Sequence, residues 1–493
     1  MSDIYRNYIG GEWVEGGTGE TFPSINPANT DDVLGHVPRG TREDAASAVA
    51  AAADAFPAWS AMVAPERARI FARAIRIAEA RADDLGRLMT REEGKIFKEA
   101  RGEIIKGLNL VEYYVGEGWR IEGRTRPSEM ARTFTYTVRR PLGVVSLITP
   151  WNFPWAIPCW KVAPALIAGN TAVFKPASLT PLVAIEWVRI LEEAGLPPGV
   201  LNLVIGPGST VGDELVINPA VQAVSFTGSN GVGSRLYQDA AARGIKVTCE
   251  MGGKNPVVVM PDADLDLALE GIVQGAFGST GQRCTATSRV VVDRAVAAEL
   301  TERIVARARE MKVGDGLDPS VQMGPAVDES QLKTDLDYIA IAQAEGARLC
   351  CGGQRLTEGD LTKGWFVEPT VFDDVTPEMR IAREEVFGPV LSILTVDGYE
   401  EAMAVANGVD FGLTASIYTR DSSLAMRFVD DAEVGMVHIN QPTIGGEAQL
   451  PFGGIKSTGV GDREMSVEGI NFFTELKTVF FDYTGVVRKT NIY

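Results

Sequence analysis

Between residues 143 and 253 short apolar segments alternate with helical ones, and this narrows the fold more than any other feature of the chain. GVVSLITP (143–150), TAVFKPA (171–177), VLNLVIG (200–206), AVSFTGS (223–229) and KVTCEMGG (246–253) are apolar through their middles. Strands covered on both faces read this way. Between them lie KVAPALIAGN (161–170), PLVAIEWVRILEEAGL (181–196), a segment from Thr210, and GVGSRLYQDAAA (231–242), all of helical pattern. Apolar strands separated by helices imply a parallel sheet with helices on both sides. The fold class expected is therefore doubly wound α/β, which binds nucleotides outside the carboxyl ends of its strands.

A second α/β run follows. Helices are expected over 263–280, 295–311, 399–406 and 421–431, with strands at 288–293, 389–395 and MVHIN (436–440). TFTYTVRR (133–140) and FFTELKTVFFDYTG (472–485) read as strands outside either sheet. Ahead of the first run, a helix is expected from Thr41 to near Pro57, a second from Pro65 through Leu85, and a third over 98–118. With 493 residues the chain has room for roughly three domains. The division expected is a dinucleotide domain over 1–120 and 142–252, a catalytic domain over 253–467, and an arm made of 121–141 and 468–493.

Charge and rare residues exclude several classes. A formal charge of −18 argues against nucleic acid or anionic lipid as a partner. Five cysteines without a CxxC, and two histidines (His36 and His438) without ligand spacing, give no disulfide framework and no metal site. Acid–base work then falls to a carboxylate rather than a histidine. MSDIYRNYIGGEW lacks the basic and apolar regions of a secretion signal. Pro141 to Trp160 is uncharged, but Pro150, Pro154 and Pro158 would break a helix in lipid. A buried strand followed by an irregular apolar wall is the better reading, and the expected location is the cytoplasm.

Several residues stand where chemistry would be done. Gly206 to Gly212 and Gly228 to Gly233 are glycine clusters between a strand and a helix, where backbone N–H groups can approach a phosphate. Cys284 lies in FGSTGQRCTATSRV (277–290), a polar loop beside Arg283, where a reactive thiolate is as reasonable as a structural cysteine. Glu250 ends an apolar strand, a place where a carboxylate is either paired or tuned as an acid or base. Asn152, among aromatic residues and prolines, is a neutral donor suited to an oxyanion. Lys175 closes a strand of the same sheet, and Glu385 begins the turn EEVFGP.

PWNFP (150–154), FKPAS (174–178), FTGS (226–229), EMGGKNP (250–256), GQRC (281–284), EEVFGPV (384–390) and PFGGIKSTG (451–459) occur in this order. Together they resemble the aldehyde dehydrogenase superfamily over essentially the whole chain. The resemblance implies two doubly wound domains, a Rossmann-like cofactor domain and a catalytic domain, plus a small β oligomerisation arm. It implies NAD(P)-dependent oxidation of an aldehyde to a carboxylic acid. Cys284 would be the nucleophile, Asn152 with the Cys284 N–H the oxyanion donors, and Glu250 the base that hydrolyses the thioester. Trp151, Lys175, Ser178, Gly208, Phe226, Gly228, Ser229, Glu385 and Phe387 would contact the cofactor. A homodimer or homotetramer would follow from the arm.

Many NAD-specific members carry Glu where this chain has Ser178. Without that carboxylate a 2′-phosphate is not repelled, and Lys175 is nearby, so NADP is expected to be accepted as well as NAD. GSTGQRCTATSRV together with SLTPL (178–182) looks most like the α-ketoglutaric semialdehyde (2,5-dioxovalerate) dehydrogenase branch, which takes a short aldehyde acid. Such a substrate needs a cationic anchor, and Arg283 and the loop 439–449 are the candidates. Trp151, Phe153, Trp155, Trp160, Phe277 and Phe452 would line an aromatic tunnel, which keeps aromatic, lignin-type aldehydes as an alternative. A CoA-acylating relative would not need Glu250, a thiol esterase would turn over esters without reducing cofactor, and a non-catalytic member would have lost Cys284, Glu250 or Asn152.

Overall fold

In the computed structural model, which describes residues 3–487, the alternating run forms the middle of an eight-stranded sheet. Val144–Ile148, Thr171–Lys175 and Leu201–Leu203 lie side by side in parallel. Val221–Thr227 and then Lys246–Glu250 continue on the opposite flank of Val144–Ile148, also parallel. The winding direction thus reverses between Val144–Ile148 and Val221–Thr227. The loops leaving those two strands diverge, and a crevice opens at their carboxyl ends. Every residue of Val144–Ile148 and Thr171–Lys175 is buried, so each large aliphatic side chain there contributes roughly 1.5–3 kcal/mol. Antiparallel Asn7–Ile9 and Gly459–Val460 extend the two flanks.

The second sheet has seven strands in the order Arg348–Cys351, Thr370–Asp373, Val390–Val396, Thr287–Asp293, Asn255–Val259, Thr414–Tyr418, Met436–Ile439. Only the first pair is antiparallel. Met251 to Lys254 join the last strand of one sheet's parallel run to the first strand of the other. The two outlying strands pair with each other: Thr133–Pro141 runs antiparallel to Thr474–Asp482, and Thr125–Pro127 completes a three-stranded sheet. Among the described residues no single helix is long and apolar enough to cross a membrane.

Several boundaries differ from the sequence expectation, two of them through a tertiary contact. Helix Arg42–Ala61 runs past Pro57, because buried Trp59 is anchored by its indole N–H on the Leu166 carbonyl at 3.0 Å. The segment from Pro65 divides into Ala64–Ala80 and Ala82–Glu93 at Arg81. The apolar wall is irregular only as far as Trp155; Ala156–Ile167 is helical. Pro158 falls in its first turn, where a missing N–H has no intrahelical partner to lose. The start of that helix is closed by Glu103, whose Oε1 accepts the N–H groups of Trp155 and Ala156 at 3.0 and 3.1 Å. Helix Glu329–Ala344, capped by Asp328, has no counterpart in the sequence reading.

Candidate active site

Two chambers meet at Cys284. The larger, about 510 Å³, follows the carboxyl ends of the first sheet's strands; the smaller, about 350 Å³, lies between helix Phe97–Glu117 and the loop after Asn440. Cys284 and Ile157 line both. A molecule in one chamber therefore meets a molecule in the other at this sulfur.

The backbone is forced into position there. Ser279, Thr280 and Gly281 have φ of 48°, 58° and 69°, a left-handed run that costs about 1 kcal/mol or more at each non-glycine residue. Glu99 offsets this by accepting the Ser279 N–H at 3.0 Å, and the Thr280 hydroxyl donates to the Gly324 carbonyl at 3.1 Å. Downstream, the Asn255 amide donates to the Cys284 carbonyl at 2.8 Å. Gly252 and Gly253 are required by space: a Cβ would lie 2.0 Å from the Glu385 carboxylate at the first and 2.6 Å from the Cys284 carbonyl at the second. Burial, then the Glu385 and Glu250 carboxylates, push the Cys284 thiol up to about 12, against the pull of the Thr285 and Cys284 N–H groups.

Asn152 is buried beside Cys284 in the wall of the larger chamber. Its Nδ2 donates to the Gln282 carbonyl at 3.1 Å, and the second hydrogen of that amide is uncommitted. Lys95 donates to the Asn152 carbonyl at 2.7 Å and fixes its main chain. Glu250 lies deeper. It is buried, borders neither chamber, and accepts the Gly454 N–H at 3.2 Å. Burial and then Glu464 raise its pKa well above the carboxylate range, opposed by Arg463 and Lys161. Glu464 belongs to a buried cluster in which it accepts from Lys161, from the Trp160 indole at 2.8 Å and from the Ser225 hydroxyl at 3.0 Å. The cluster leaves no mark in the sequence, because Lys161 and Glu464 are 303 positions apart and neither carries a local signal.

The larger chamber gathers most of the expected cofactor residues: Trp151, Lys175, Gly208, Phe226, Gly228, Ser229, Glu385 and Phe387 all border it. Ser178 does not; its hydroxyl donates to the Gly206 carbonyl at 3.2 Å, and Ala177 forms the wall instead. Gly228 also departs from expectation, since its N–H donates to the Glu250 carbonyl at 3.1 Å and is not free for a phosphate. Its value is steric: a Cβ would lie 2.5 Å from the Phe226 ring. Helix Asn230–Ala242 begins directly after Ser229, whose side chain caps nothing, so its first-turn N–H groups are available. Lys175 is buried with the Pro176 carbonyl as its one hydrogen-bond partner, at 3.2 Å, and burial pulls it down to about 8. Glu385 accepts the Gly253 N–H at 2.8 Å and is raised to about 7 by burial. Phe387, at φ 63°, packs edge-on to Trp151 with ring centres 5.4 Å apart. Arg235, Gln331 and Thr334 also line the chamber, the last two on the helix that the sequence reading lacked.

The smaller chamber takes Phe153, Trp160 and Phe452 from the expected tunnel. Trp155 and Phe277 are instead wholly buried in the core, and Trp151 faces the larger chamber. Arg283 lines the smaller chamber but pairs with Glu99 at 2.9 Å and bonds the Ser279 hydroxyl, so its charge is neutralised. Neither His36 nor His438 lines either chamber.

Comparison with known proteins agrees with this geometry. A family model described as the aldehyde dehydrogenase family matches residues 13–479. The chain is 46% identical over 478 residues to the alpha-ketoglutaric semialdehyde dehydrogenase of Bacillus subtilis, covering 97% of this chain and 98% of that one. Among solved structures, betaine aldehyde dehydrogenase from Staphylococcus aureus in complex with NAD+ superposes with a TM-score of 0.95 at 35% identity, over 98% of this chain and 95% of that one. An NADP-dependent enzyme of E. coli superposes with a TM-score of 0.94 at 39% identity, over 97% and 98%.

Proposed function

The chain belongs to the aldehyde dehydrogenase family, and from that premise we propose that it oxidises a short semialdehyde acid, with α-ketoglutaric semialdehyde as the leading substrate, using NAD or NADP. The observation that carries the reading is the position of Cys284 at the meeting of the two chambers. The name of the Bacillus subtilis relative supports the substrate. The bound NAD+ of one structural neighbour and the NADP dependence of another support the cofactors.

The larger chamber suits a dinucleotide. Its free helix start after Ser229 can receive anionic groups, the buried Lys175 ammonium has one carbonyl partner, and the Glu385 carboxylate can accept from a ribose. Trp151, Gly208, Phe226, Gly228 and Phe387 complete the wall. When bound, the nicotinamide supplies a hydride acceptor. Cys284 Sγ bonds to the aldehyde carbon as its proton is lost, and the carbonyl oxygen takes up the electron pair. The free Asn152 N–H and the Cys284 N–H donate to that oxygen, a contribution of about 3 kcal/mol per donor in such sites. Once the carbon is oxidised, the acyl group is a thioester on Cys284. Glu250 removes a proton from water, the water oxygen bonds to the acyl carbon, and Cys284 leaves as the thiolate. From its position on Gly454 the Glu250 carboxylate must turn toward Cys284 or act through one water.

Ser178 supports NADP acceptance, because position 178 carries no carboxylate to repel a 2′-phosphate. A homodimer or homotetramer is supported by the three-stranded sheet, which leaves Leu476, Phe480, Phe481 and Phe134 exposed. Five free cysteines suit the reducing cytoplasm. Phe153, Trp160 and Phe452 keep an aromatic aldehyde as the second reading. A panel of short semialdehyde acids, aliphatic and aromatic aldehydes with NAD and with NADP tests the proposal, followed by reduced-cofactor absorbance in wild type and Cys284→Ala. Activity should be highest on the semialdehyde acid and fall by orders of magnitude in the variant while cofactor binding persists. Preference for aromatic aldehydes, or an acyl-CoA product on adding CoA, would reassign the enzyme.

A further inference from the structure

Five charged side chains line the smaller chamber: Lys95, Glu99, Glu103, Lys106 and Arg283. Four cancel in pairs, Lys95 with Glu103 at 2.7 Å and Arg283 with Glu99 at 2.9 Å. Glu103 is engaged on both oxygens, because Oε2 takes Lys95 and Oε1 accepts the Trp155 and Ala156 N–H groups. It forms no ion pair with Lys106, its neighbour one turn along helix Phe97–Glu117, on which its charge acts only from a distance. Among the described residues the Lys106 side chain makes no hydrogen bond and no ion pair. The chamber's uncancelled charge is therefore one ammonium group.

The location of that group is specific. Lys106 borders the inner chamber and also an outer groove of about 500 Å³, shared with Glu112, Arg120 and Glu447. Arg120 is paired with Glu117 at 2.7 Å, and neither Glu112 nor Glu447 forms an ion pair with Lys106. The loop 445–449 closes over it, such that a Cβ on Gly446 would lie 3.7 Å from its Nζ. Burial and then the neighbouring Arg283 charge pull Lys106 below the ordinary lysine pKa, against the opposing pull of Glu103 and Cys284. A partly desolvated cation without a partner is unfavourable until an anion reaches it.

We infer that Lys106 is the specificity residue that receives the far carboxylate of the substrate while the aldehyde end reaches Cys284. The assignment rests on the semialdehyde-acid reading above and supplies the anchor that Arg283, already paired, does not. A charge-assisted bond of this kind acts on binding, so its loss should appear in KM more than in kcat.

The test compares α-ketoglutaric semialdehyde with pentanal, an uncharged aldehyde of equal chain length, on wild type, Lys106→Met and Lys106→Arg. Wild type should prefer the acid in kcat/KM, and Lys106→Met should reduce that preference by about 100-fold, mainly through KM. Lys106→Arg should restore most of it. An unchanged acid-to-pentanal ratio in Lys106→Met, with wild type still preferring the acid, overturns the anchor alone. A wild type that does not prefer the acid overturns the substrate reading, and the anchor with it.

Discussion

The Asn255 side-chain amide donates to the carbonyl oxygens of both Cys284 and Ala286, each at 2.8 Å. The first residue of an interior strand of the second sheet therefore sets the direction of the nucleophile's loop. Removing a buried donor of this kind leaves two carbonyls unpaired, at a cost of roughly 1–3 kcal/mol each. Asn255→Ala is expected to lower kcat by about 10- to 100-fold, because small misplacement of a nucleophile is expensive. Dinucleotide affinity should change little. Steady-state kinetics beside a cofactor titration check this, and wild-type kcat in the variant would refute the positioning role.

The thiol of Cys284 is held up to about 12 by burial and by Glu385 and Glu250. Thiolate, not thiol, is the species alkylated. Below its pKa the thiolate fraction grows tenfold per pH unit, so iodoacetamide should modify Cys284 without cofactor about tenfold faster at each unit from pH 7 to 9. Peptide mapping separates this from Cys350, which is also partly exposed. A rate that levels off below pH 8 would show that the sulfur is already ionised.

How much of this site was readable in advance depends on whether a residue announces itself locally. Cys284, Glu250 and Asn152 did, because a polar loop cysteine, a strand-end carboxylate and an amide among prolines are each anomalous where they stand. The parallel sheet was legible for a similar reason, since Val144–Ile148 and Thr171–Lys175 lack the regular apolar–polar alternation of a half-exposed strand. Lys106 was invisible: within EIIKGLNL it reads as one polar position of an amphipathic helix, and its isolation follows from what Glu103 bonds elsewhere. The early start of helix Ala156–Ile167 was hidden for the same reason, as its closing carboxylate comes from 53 positions upstream. Ser178 illustrates the reverse error, in which a correct motif match did not reveal that the hydroxyl turns to Gly206.

Glu250 should separate the two halves of the reaction. Glu250→Gln keeps size and the Gly454 contact but cannot remove a proton from water. Rapid mixing is expected to show a burst of reduced cofactor equal to the enzyme present, followed by turnover slowed by about 100-fold or more. In wild type the raised pKa of this carboxylate moves the rising limb of kcat upward from the ordinary carboxylate range. A base is active only when deprotonated, so kcat should still be climbing with pH where an unshifted glutamate would have reached its plateau. A pH-independent kcat from pH 5 upward would remove Glu250 from the slow step.

The helix that follows the cofactor-facing strand depends on a carboxylate from far away. Thr180, at the start of Pro181–Glu193, makes no side-chain cap, and Glu92 accepts the Leu182 and Val183 N–H groups instead, at 2.5 and 3.0 Å. Glu92→Ala leaves both donors buried and unpaired, so unfolding free energy should fall by about 2–4 kcal/mol. Glu92→Gln keeps one acceptor and should recover part of the loss. Urea unfolding of the two variants, monitored by tryptophan fluorescence, measures it, and equal stability of Glu92→Ala and wild type would contradict the cap.

Cofactor choice provides the last test. Ala177, not Ser178, forms the chamber wall, and Ser178 rests on the Gly206 carbonyl within half-buried backbone two residues past Pro176. A longer side chain at 178 can reach the chamber where serine does not. Ser178→Glu should bring a negative charge near Lys175 and disfavour a 2′-phosphate, while offering ribose hydroxyls an acceptor. The ratio of kcat/KM for NADP over NAD is expected to fall by about 100-fold, equivalent to about 2.7 kcal/mol of discrimination. Lys175→Met should weaken both cofactors, since its buried ammonium has a single carbonyl partner at 3.2 Å and is free to bind an incoming hydroxyl or phosphate. If Ser178→Glu leaves the ratio where it was, the 2′ position of the adenosine ribose lies away from residue 178, and Arg235, whose guanidinium pairs with Asp213 at 2.7 Å on the same chamber wall, becomes the residue to substitute next.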